Sequence, residues 1–113
     1  MARYDLAVGA EVAKTRPAIV VSNDRVTSAS TRNGRGIVTL VPLTFNTARI
    51  YPFQVRIVNT AETGLIVESK AQAEQVRSVD VRRVVELLGR VSPQVLARLD
   101  RALILHLGLP GAR

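Results

Sequence analysis

The apolar positions of the chain fall into short runs separated by polar segments, a pattern typical of β-strands. Residues 17–22, PAIVVS, are rich in β-branched side chains and stop at an Asn-Asp pair. Residues 36–43, GIVTLVPL, hardly alternate, which predicts a strand covered on both faces. Residues 53–58, FQVRIV, alternate better and predict a third strand.

The segments between these runs give weaker signals. Residues 1–15 are mixed and predict a leading loop, residues 25–35 and 44–52 predict further loops, and residues 59–64 predict a turn. Residues 65–67 are expected to begin another β segment. Two segments remain open between helix and strand, residues 70–79 and residues 81–91.

The end of the chain predicts a helix over residues 92–107. Ser92 is a good N-cap, Pro93 suits the first helical position, and Gly108 and Pro110 end the element. Helical spacing connects five positions of one face, namely Val95, Leu96, Leu99, Leu103 and His106. Short strands followed by one helix predict a single domain over residues 1–113, mainly β (α+β), built as a small, partly open barrel with a C-terminal helix.

Charge adds a candidate partner. The sequence has 16 Lys and Arg against nine Asp and Glu, a net charge of +7, and most of the cations are arginine. Arginine presents a planar fork of donors that matches phosphate, which favours nucleic acid over a merely solvated basic surface or a biased composition. Three arginines of the 25–35 loop, Arg25, Arg32 and Arg35, could contact phosphates, although a solvated loop explains them as well.

Composition also excludes several classes of site. The chain has no cysteine and one histidine, which excludes disulfides, thiolate metal sites, a thiol nucleophile and a multi-histidine metal site. No signal segment opens the chain, and no apolar run approaches the roughly 18 residues of a membrane span. We expect a cytoplasmic protein without cofactor, metal or membrane contact. His106 lies on the apolar face of the terminal helix, which favours a packed or partner-facing role over acid–base catalysis.

Candidate catalytic residues lie at the ends of the first two predicted strands. Arg16 stands just before the first run and Thr44 just after the second, so antiparallel pairing would bring them to one end of the barrel, with Glu11 on the chain leading in. Such a set suits RNA cleavage without a metal, because RNA supplies its own nucleophile, the 2′-hydroxyl. From spacing alone, a surface ion pair of Arg16, for example with Glu11, is favoured over this catalytic set.

Three ordered blocks resemble the MazF/PemK toxin family. GAEVAKTRPAIVVSND, residues 9–24, is similar to the family pattern G-S-E-Q-x-x-x-R-P-A-V-V-V-S. VTLVPLTFNTARIYPFQV, residues 38–55, resembles its V-P-x-T segment followed by Y-P-F-x-V. GLIVESKAQAEQVRSVD, residues 64–80, resembles its third block. The likeness covers roughly residues 5–105.

The resemblance implies an SH3-like barrel of the MazF/PemK/CcdB type that acts as a homodimer. It also implies the toxin of a type II toxin–antitoxin system, a sequence-specific, metal-independent endoribonuclease that leaves a 2′,3′-cyclic phosphate and a 5′-hydroxyl. The family's catalytic arginine and threonine fall on Arg16 and Thr44, and its glutamate falls on Glu11. We expect partners to be RNA (messenger, ribosomal or transfer) and a cognate antitoxin whose acidic segment occupies the Arg16 groove.

Further residues follow from the same comparison. The candidate RNA-binding residues are Lys14, Arg25, Arg32, Arg35, Phe45, Asn46, Tyr51, Gln75 and Arg77. The aromatic ones could stack on unpaired bases, whereas Tyr51 could equally belong to the core and Phe53 is expected there.

The start of the chain departs from the family. Members usually open with a strand of the type R-G-D-I-W-x-V, and MARYDLAVGAE leaves almost no room for it. We therefore expect a shortened N-terminal strand, an open edge on its neighbour and a looser segment around Glu11. The alternatives to a ribonuclease are a CcdB-like, non-enzymatic poison of gyrase and a non-catalytic SH3-like RNA-binding module.

Overall fold

The computed structural model describes residues 5–11, 14–22 and 32–111. These residues form seven strands, with helix α1 at the end of the chain. The strands are β1 Asp5–Glu11, β2 Lys14–Val20, β3 Ile37–Thr44, β4 Gln54–Ile57, β5 Ser69–Gln72, β6 Arg77–Asp80 and β7 Val84–Arg90. Helix α1 is Pro93–Leu107, and two 3₁₀ turns, Ala73–Gln75 and Val81–Arg83, flank β6.

The strands make one antiparallel sheet in the order β4-β5-β3-β2-β1-β7. Strand β3 is its long central member. One edge of β3 pairs with β2, while the other edge pairs first with β6 and then, at Leu43 and Thr44, with β5. This mainly β fold with an open antiparallel sheet and a C-terminal helix confirms the predicted fold class.

The core explains why residues 36–43 do not alternate. Strands β2 and β3 send successive side chains to opposite faces, and both faces are buried. One face contributes to a cluster around Ile19, Val41 and Leu99 of α1, and the other to a cluster around Val20 and Val38. Each large apolar side chain fully buried in this way contributes roughly 1.5–3 kcal/mol. The two strands that carry Arg16 and Thr44 are therefore held firmly from both sides.

Strand β1 corrects the prediction of a leading loop over residues 1–15. Seven residues, Asp5–Glu11, pair with β2 on one edge and with β7 on the other, and β2 itself starts at Lys14. The expected shortened strand and open edge are thus wrong. Small residues such as Gly9 and Ala10 weaken the local strand signal, and it is the pairing with two distant strands that fixes β1.

Of three other segments, one departs from the prediction and two settle an alternative that the sequence left open. Residues 65–67 do not begin a strand, because β5 starts at Ser69. Residues 70–79 divide into β5, a 3₁₀ turn and β6, and residues 81–91 form a 3₁₀ turn followed by β7, the β return. In residues 70–79, the four-residue strands β5 and β6 are separated by a turn and are too short to produce a clear periodicity. The pattern of that segment therefore favoured neither helix nor strand.

Helix α1 has the predicted start and end. Ser92 Oγ accepts a hydrogen bond from Val95 N–H at 3.1 Å, and Pro93 occupies the first turn. Gly108 ends the helix in the left-handed region, with φ 67°. The buried face carries Leu96, Leu99 and Ala102. No helix in the described ranges is long and apolar enough to cross a membrane.

Candidate functional site

An open groove of about 800 Å³ lies where the N-terminal half of β2 meets the end of β3. Its lining comes from four parts of the chain: Thr15, Arg16 and Pro17; Leu43, Thr44 and Phe45; Gly64, Leu65, Ile66, Val67 and Ser69; and Leu88 of β7. Arg16 is the single charged residue among these lining residues. The groove therefore offers one cation within largely apolar walls.

Antiparallel pairing brings Arg16 and Thr44 together, as the sequence predicts. The register between β2 and β3 joins Ala18 to Pro42 and Ile19 to Val41. Continued by two residues towards the groove, the same register sets Arg16 opposite Thr44. Cross-strand partners project to the same face of a sheet, so a cation and a hydroxyl share one face at the edge of the groove.

The hydroxyl oxygen of Thr44 already accepts a hydrogen bond from the backbone. Thr44 Oγ1 accepts a hydrogen bond from Asn46 N–H at 3.3 Å, and Asn46 Oδ1 accepts one from Ala48 N–H at 3.4 Å. These short turns fix the chain as it leaves β3. A hydroxyl that accepts through its oxygen keeps its own hydrogen free to donate, so Thr44 is set up as a donor towards the groove.

The Arg16 side chain is exposed, and it has no ion pair or hydrogen bond with the described side chains. Its guanidinium is thus not committed to a carboxylate of that part of the structure. Backbone pairing places Gly9 of β1 opposite Arg16, which leaves no Cβ beside the arginine on that edge. A free guanidinium fork can bind two oxygens of one phosphate.

Behind Thr44 the sheet carries a buried lysine. Lys70 of β5 pairs directly with Thr44 and is 8% exposed, and its Nζ donates to Arg49 O at 2.6 Å. The ammonium also lies 5.9 Å from the centre of the Tyr51 ring. Lys70 thereby ties the loop that follows Thr44 to the middle of the sheet.

The far end of that loop is an aromatic stack. Tyr51 and Phe53 lie parallel with ring centroids 5.4 Å apart, and Arg49 covers Tyr51 at 5.4 Å while donating to its hydroxyl. Phe53 is half-buried and sits 6.5 Å from the ring of His106. Phe53 is thus at the margin of the core rather than inside it, and His106 is exposed against its edge.

A buried amide anchors the same loop. Gln54 is 8% exposed; its Oε1 accepts from Tyr51 N–H at 3.0 Å, and its Nε2 donates to Glu74 Oε2 at 2.7 Å. The other carboxylate oxygen, Glu74 Oε1, is buried without a hydrogen-bond partner. Gln54 thus holds the Tyr51 backbone with its amide oxygen and the Glu74 carboxylate with its amide nitrogen, so it fixes Tyr51 relative to Glu74.

The remaining predicted residues lie in several places. In the backbone register, Glu11 at the end of β1 is opposite Lys14 at the start of β2. Arg25 lies outside the described residues. Phe45 lines the groove and is 78% exposed, with Asn46 beside it. The others do not line the groove, namely Arg32, Arg35, Tyr51, Gln75 and Arg77.

Sequence reasoning missed one wall of the groove. The sequence predicts that residues 65–67 begin a strand, but together with Gly64 they form a groove wall in which Ile66 is 92% exposed. The signal available was an apolar triplet directly after a glycine. An apolar side chain that faces solvent in a groove is a contact surface for a ligand or a partner chain.

Two glycines hold this wall in place. Gly64 has φ +72°, and a Cβ there would lie 2.2 Å from Leu88 O. A Cβ on Gly89 would lie 2.2 Å from Glu62 O. Arg90 N–H donates to Glu62 O at 2.9 Å across the same junction. Backbone therefore packs directly on backbone between the turn and β7, which only glycine allows.

An exposed ion pair marks the turn between β6 and β7. Arg82 donates two side-chain hydrogen bonds to the carboxylate of Asp80, and its backbone N–H donates a third. These bonds lower the pKa of Asp80 to about 2. Among the described residues, no three His, Cys, Asp or Glu side chains group closely enough to hold a metal ion.

Sequence comparisons place the chain among known proteins. A family model described as PemK-like, MazF-like toxin of type II toxin–antitoxin system matches residues 1–107. Endoribonuclease MazF9 of Mycobacterium tuberculosis is 53% identical over 105 residues, which cover 93% of this chain and 88% of that protein. A probable endoribonuclease MazF of Mycolicibacterium smegmatis is 30% identical over 103 residues, 91% of this chain and 89% of the relative.

Solved structures share the fold. A mycobacterial endoribonuclease in complex with its cognate antitoxin superposes with a TM-score of 0.76 at 23% identity, over 97% of each chain. A MazE–MazF complex from Deinococcus radiodurans gives a TM-score of 0.72 at 28% identity, over 96% of this chain and 94% of that one. The likeness extends over almost the whole length of both.

Proposed function

Because the chain belongs to the PemK-like, MazF-like toxin family of type II toxin–antitoxin systems, we propose that it is an endoribonuclease that cuts single-stranded RNA at the Arg16–Thr44 groove. The observation that carries this proposal is that an exposed guanidinium and a hydroxyl line one groove, on neighbouring strands. Relatives at 53% and 30% identity, named endoribonuclease and probable endoribonuclease, support the class of reaction.

The proposed reaction uses a nucleophile within the RNA. The 2′-oxygen attacks the adjacent phosphorus, the bond from phosphorus to the 5′-oxygen breaks, and the 2′-hydroxyl proton leaves to a base. The departing 5′-oxygen takes up a proton. The products are a 2′,3′-cyclic phosphate and a 5′-hydroxyl, and no metal is required because the protein needs only to align the groups and stabilise the charge.

Arg16 binds the scissile phosphate in this proposal. The transition state spreads a second negative charge over the phosphorane oxygens, and a guanidinium in a mostly apolar groove stabilises it more strongly than one in open water. Arginine keeps its proton under physiological conditions, so it acts as a charge and a donor rather than as a base. From the same position it can donate towards the leaving oxygen.

Thr44 and Glu11 complete the set. Thr44 Oγ1 donates to a non-bridging oxygen, a role supported by the Asn46 N–H bond that occupies its acceptor side. Glu11 is proposed as base for the 2′-hydroxyl. Its place at the end of β1, opposite Lys14 in the backbone register and two positions beyond the Gly9–Arg16 pair, supports that role.

Base selection belongs to the walls beside Thr44. Phe45 and Ile66 present large apolar surfaces to solvent next to the reacting groups. Unpaired bases stack on aromatic side chains such as Phe45 without a strict sequence code, and each stacked base contributes roughly 1–3 kcal/mol, whereas Ile66 offers apolar contact alone. We infer that Phe45 and the 64–67 wall choose the bases around the cut, with Asn46 as a hydrogen-bonding neighbour.

The partners follow from the same family. We propose a homodimer and a cognate antitoxin whose acidic segment covers Arg16, in a cytoplasmic setting. The related mycobacterial and Deinococcus proteins described as antitoxin complexes support the second partner. The net charge of +7 supports both an RNA substrate and an acidic inhibitor.

One experiment tests the proposed function. Purified protein is incubated with single-stranded RNA in excess EDTA, and the ends of the fragments are mapped. We expect cleavage to persist, to leave cyclic phosphate and 5′-hydroxyl ends, and to fall at least about a hundredfold in Arg16→Ala. Cleavage that needs added metal would refute the chemistry. Growth arrest without RNA cleavage would favour the gyrase poison, and RNA binding without cleavage would favour the binding module.

A further inference from the structure

A buried cation lies directly beside the candidate catalytic threonine, and the proposed chemistry does not use it. Lys70 of β5 is the cross-strand partner of Thr44 on one side and of Arg56 on the other. Lys70 is 8% exposed, whereas the side chain of Arg56 is 58% exposed. Cross-strand partners project to one face of a sheet, so these three side chains form a row in which the lysine is the covered cation.

The burial of this ammonium is costly and has a specific outcome. Among the described side chains, none forms an ion pair with Lys70 Nζ. Its partners are Arg49 O, at 2.6 Å, and the face of the Tyr51 ring, whose centre is 5.9 Å away. A methionine would fill a similar volume without a charge to desolvate. What the methionine could not do is hold the Arg49 carbonyl, which the ammonium binds through a charge-assisted hydrogen bond.

This bond fixes the middle of the loop that connects β3 to β4. The first turn of the loop is held by Thr44, whose Oγ1 accepts from Asn46 N–H at 3.3 Å. The last turn is held by Gln54, whose Oε1 accepts from Tyr51 N–H at 3.0 Å. Both bonds join residues two or three positions apart, whereas the bond from Lys70 spans 21 positions. Lys70 therefore connects the loop to a third strand, β5.

We propose that Lys70 is a positioning residue that determines base specificity: its ammonium holds the β3–β4 loop so that Phe45 and Asn46 keep a fixed place beside the reacting groups. The proposal rests on the proposed function, which assigns base selection to these two side chains. Lys70 is covered, so it acts on RNA through the Arg49 carbonyl rather than by contact.

The structure separates the residues that Lys70 controls from those that it does not. Arg16 and Thr44 belong to strands whose two faces are buried, so a looser loop leaves their backbone positions unchanged. Phe45 and Asn46 belong to the loop itself and are exposed. Discrimination between similar bases requires contacts held in a narrow geometry, and a loosened loop admits the wrong base more readily.

Hydrogen exchange tests the anchor without RNA. Lys70→Met removes the ammonium and keeps the size of the side chain. By NMR, we expect the Tyr51 amide to exchange at least about tenfold faster in Lys70→Met than in the parent protein. Arg56→Met, which loses the exposed cation next in the row, should leave this rate within about twofold. An equal acceleration at the buried Leu99 of α1 would show a change in overall stability alone and would overturn the anchor.

Competition between two RNAs tests the specificity. The sites that the parent cuts are mapped by sequencing fragment ends, and one site is then synthesised with and without a changed base beside the cut. We expect the ratio of kcat/KM for the two RNAs to fall on the order of tenfold in Lys70→Met and to stay within about twofold in Arg56→Met. An unchanged ratio in Lys70→Met would refute the proposal, and so would an equal slowing on both RNAs, which would mark a contribution of charge to the reaction.

Restoration of the ammonium gives a further control, because the chain has no cysteine. Lys70→Cys is alkylated in urea with 2-bromoethylamine, which rebuilds a side chain of lysine length, or with 1-bromopropane, which gives a neutral one, and is then refolded. We expect the aminoethyl form to recover the parent ratio within about threefold and the propyl form to resemble Lys70→Met. Equal ratios in the two refolded forms would exclude the ammonium as the cause.

The outcomes distinguish this proposal from the one on which it rests. Failure of every neutral variant to fold would show that Lys70 serves stability rather than specificity, and would overturn the proposal. Absence of RNA cleavage by the parent protein would count against the proposed function, while the exchange rate of the Tyr51 amide would still decide whether Lys70 holds the loop.

Discussion

Arg16 and Thr44 lie on neighbouring antiparallel strands, in the register that joins Ala18 to Pro42, and both line one groove. Both strands are buried on their two faces beyond the groove. The backbone positions that carry the guanidinium and the hydroxyl are therefore set by the sheet. Preorganised donors of this kind stabilise a transition state without a cost of reorganisation.

Substitutions of Thr44 can separate the effect of its hydroxyl donor from the effect of its side-chain size. Thr44→Val keeps the shape of the side chain but removes the hydroxyl, and we expect kcat for RNA cleavage to fall on the order of a hundredfold. Thr44→Ser restores the hydroxyl and should recover most of the rate. Single-turnover cleavage of a short RNA measures both. Equal rates in the Val and Ser variants would exclude the hydroxyl as a donor.

Substitution of Arg16 by lysine tests the guanidinium fork. Lysine keeps the charge but loses the paired donors, so we expect Arg16→Lys to cleave at least about tenfold more slowly than the parent. Arg83→Lys, on an exposed 3₁₀ turn away from the groove, is the matched control and should cleave normally. Full activity of Arg16→Lys would mean that charge alone suffices.

Gly64 and Gly108 form a natural pair for a stability experiment. Both have positive φ, +72° and +67°, but a Cβ at Gly64 would meet Leu88 O at 2.2 Å, whereas one at Gly108 meets nothing within 4 Å. We expect Gly108→Ala to cost roughly 1–2 kcal/mol of unfolding free energy, the price of the left-handed conformation.

Gly64→Ala adds the backbone clash to the same conformational penalty, so it should cost at least about twice as much. Urea unfolding followed by circular dichroism gives both values. Equal costs in the two variants would show that the turn can move away from β7.

Gln54 links the loop after Thr44 to Glu74. Gln54→Leu leaves Tyr51 N–H and the Glu74 carboxylate without their partner, and we expect a loss of about 2–3 kcal/mol in unfolding free energy. Gln54→Glu puts two carboxylates side by side, so its loss should shrink as the pH falls and the pair takes up a proton. A pH-independent loss would argue against direct contact between the two side chains.

The Asp80 carboxylate gives a direct electrostatic test. Its pKa is lowered from 3.8 to about 2 by hydrogen bonds from Arg82. A lowered pKa in the folded protein means that the stabilisation is fully present above pH 3.8 and is lost as the pH falls towards 2. Arg82→Ala removes the side-chain bonds but keeps the backbone N–H bond, so the pKa should rise part of the way back. Carbon-13 NMR titration measures it, and an unchanged pKa would contradict the assigned cause.

Local signals in the sequence were enough for some parts of the molecule. The ends of α1 are specified locally, by the side-chain cap of Ser92 and by the backbone preferences of Pro93 and Gly108. The helix could therefore be predicted from the sequence alone. The meeting of Arg16 and Thr44 could be predicted because antiparallel pairing of two clear strands leaves little choice. The roles of these two residues remain predictions.

Other parts depend on contacts that are distant in sequence. Strand β1 exists because β2 and β7 hold its two edges, which residues 5–11 alone do not reveal. The wall at residues 64–67 is set by the close approach of Gly64 to β7, and the burial of Lys70 by its place between β3 and β4. Each of these needs a partner whose position the local pattern does not contain.

The position of β1 between β2 and β7 also affects how the protein folds. Asp5 pairs with Arg90, so the outer edge of β1, the first described strand, is covered only when β7, the last described strand, is in place. A ribosome that stops before Val84 releases a fragment with β7 missing, an open edge on β1 and no α1 to cover the core. Incomplete products should therefore aggregate or be degraded, and we expect the folded sheet to form only after β7 and α1 have been made.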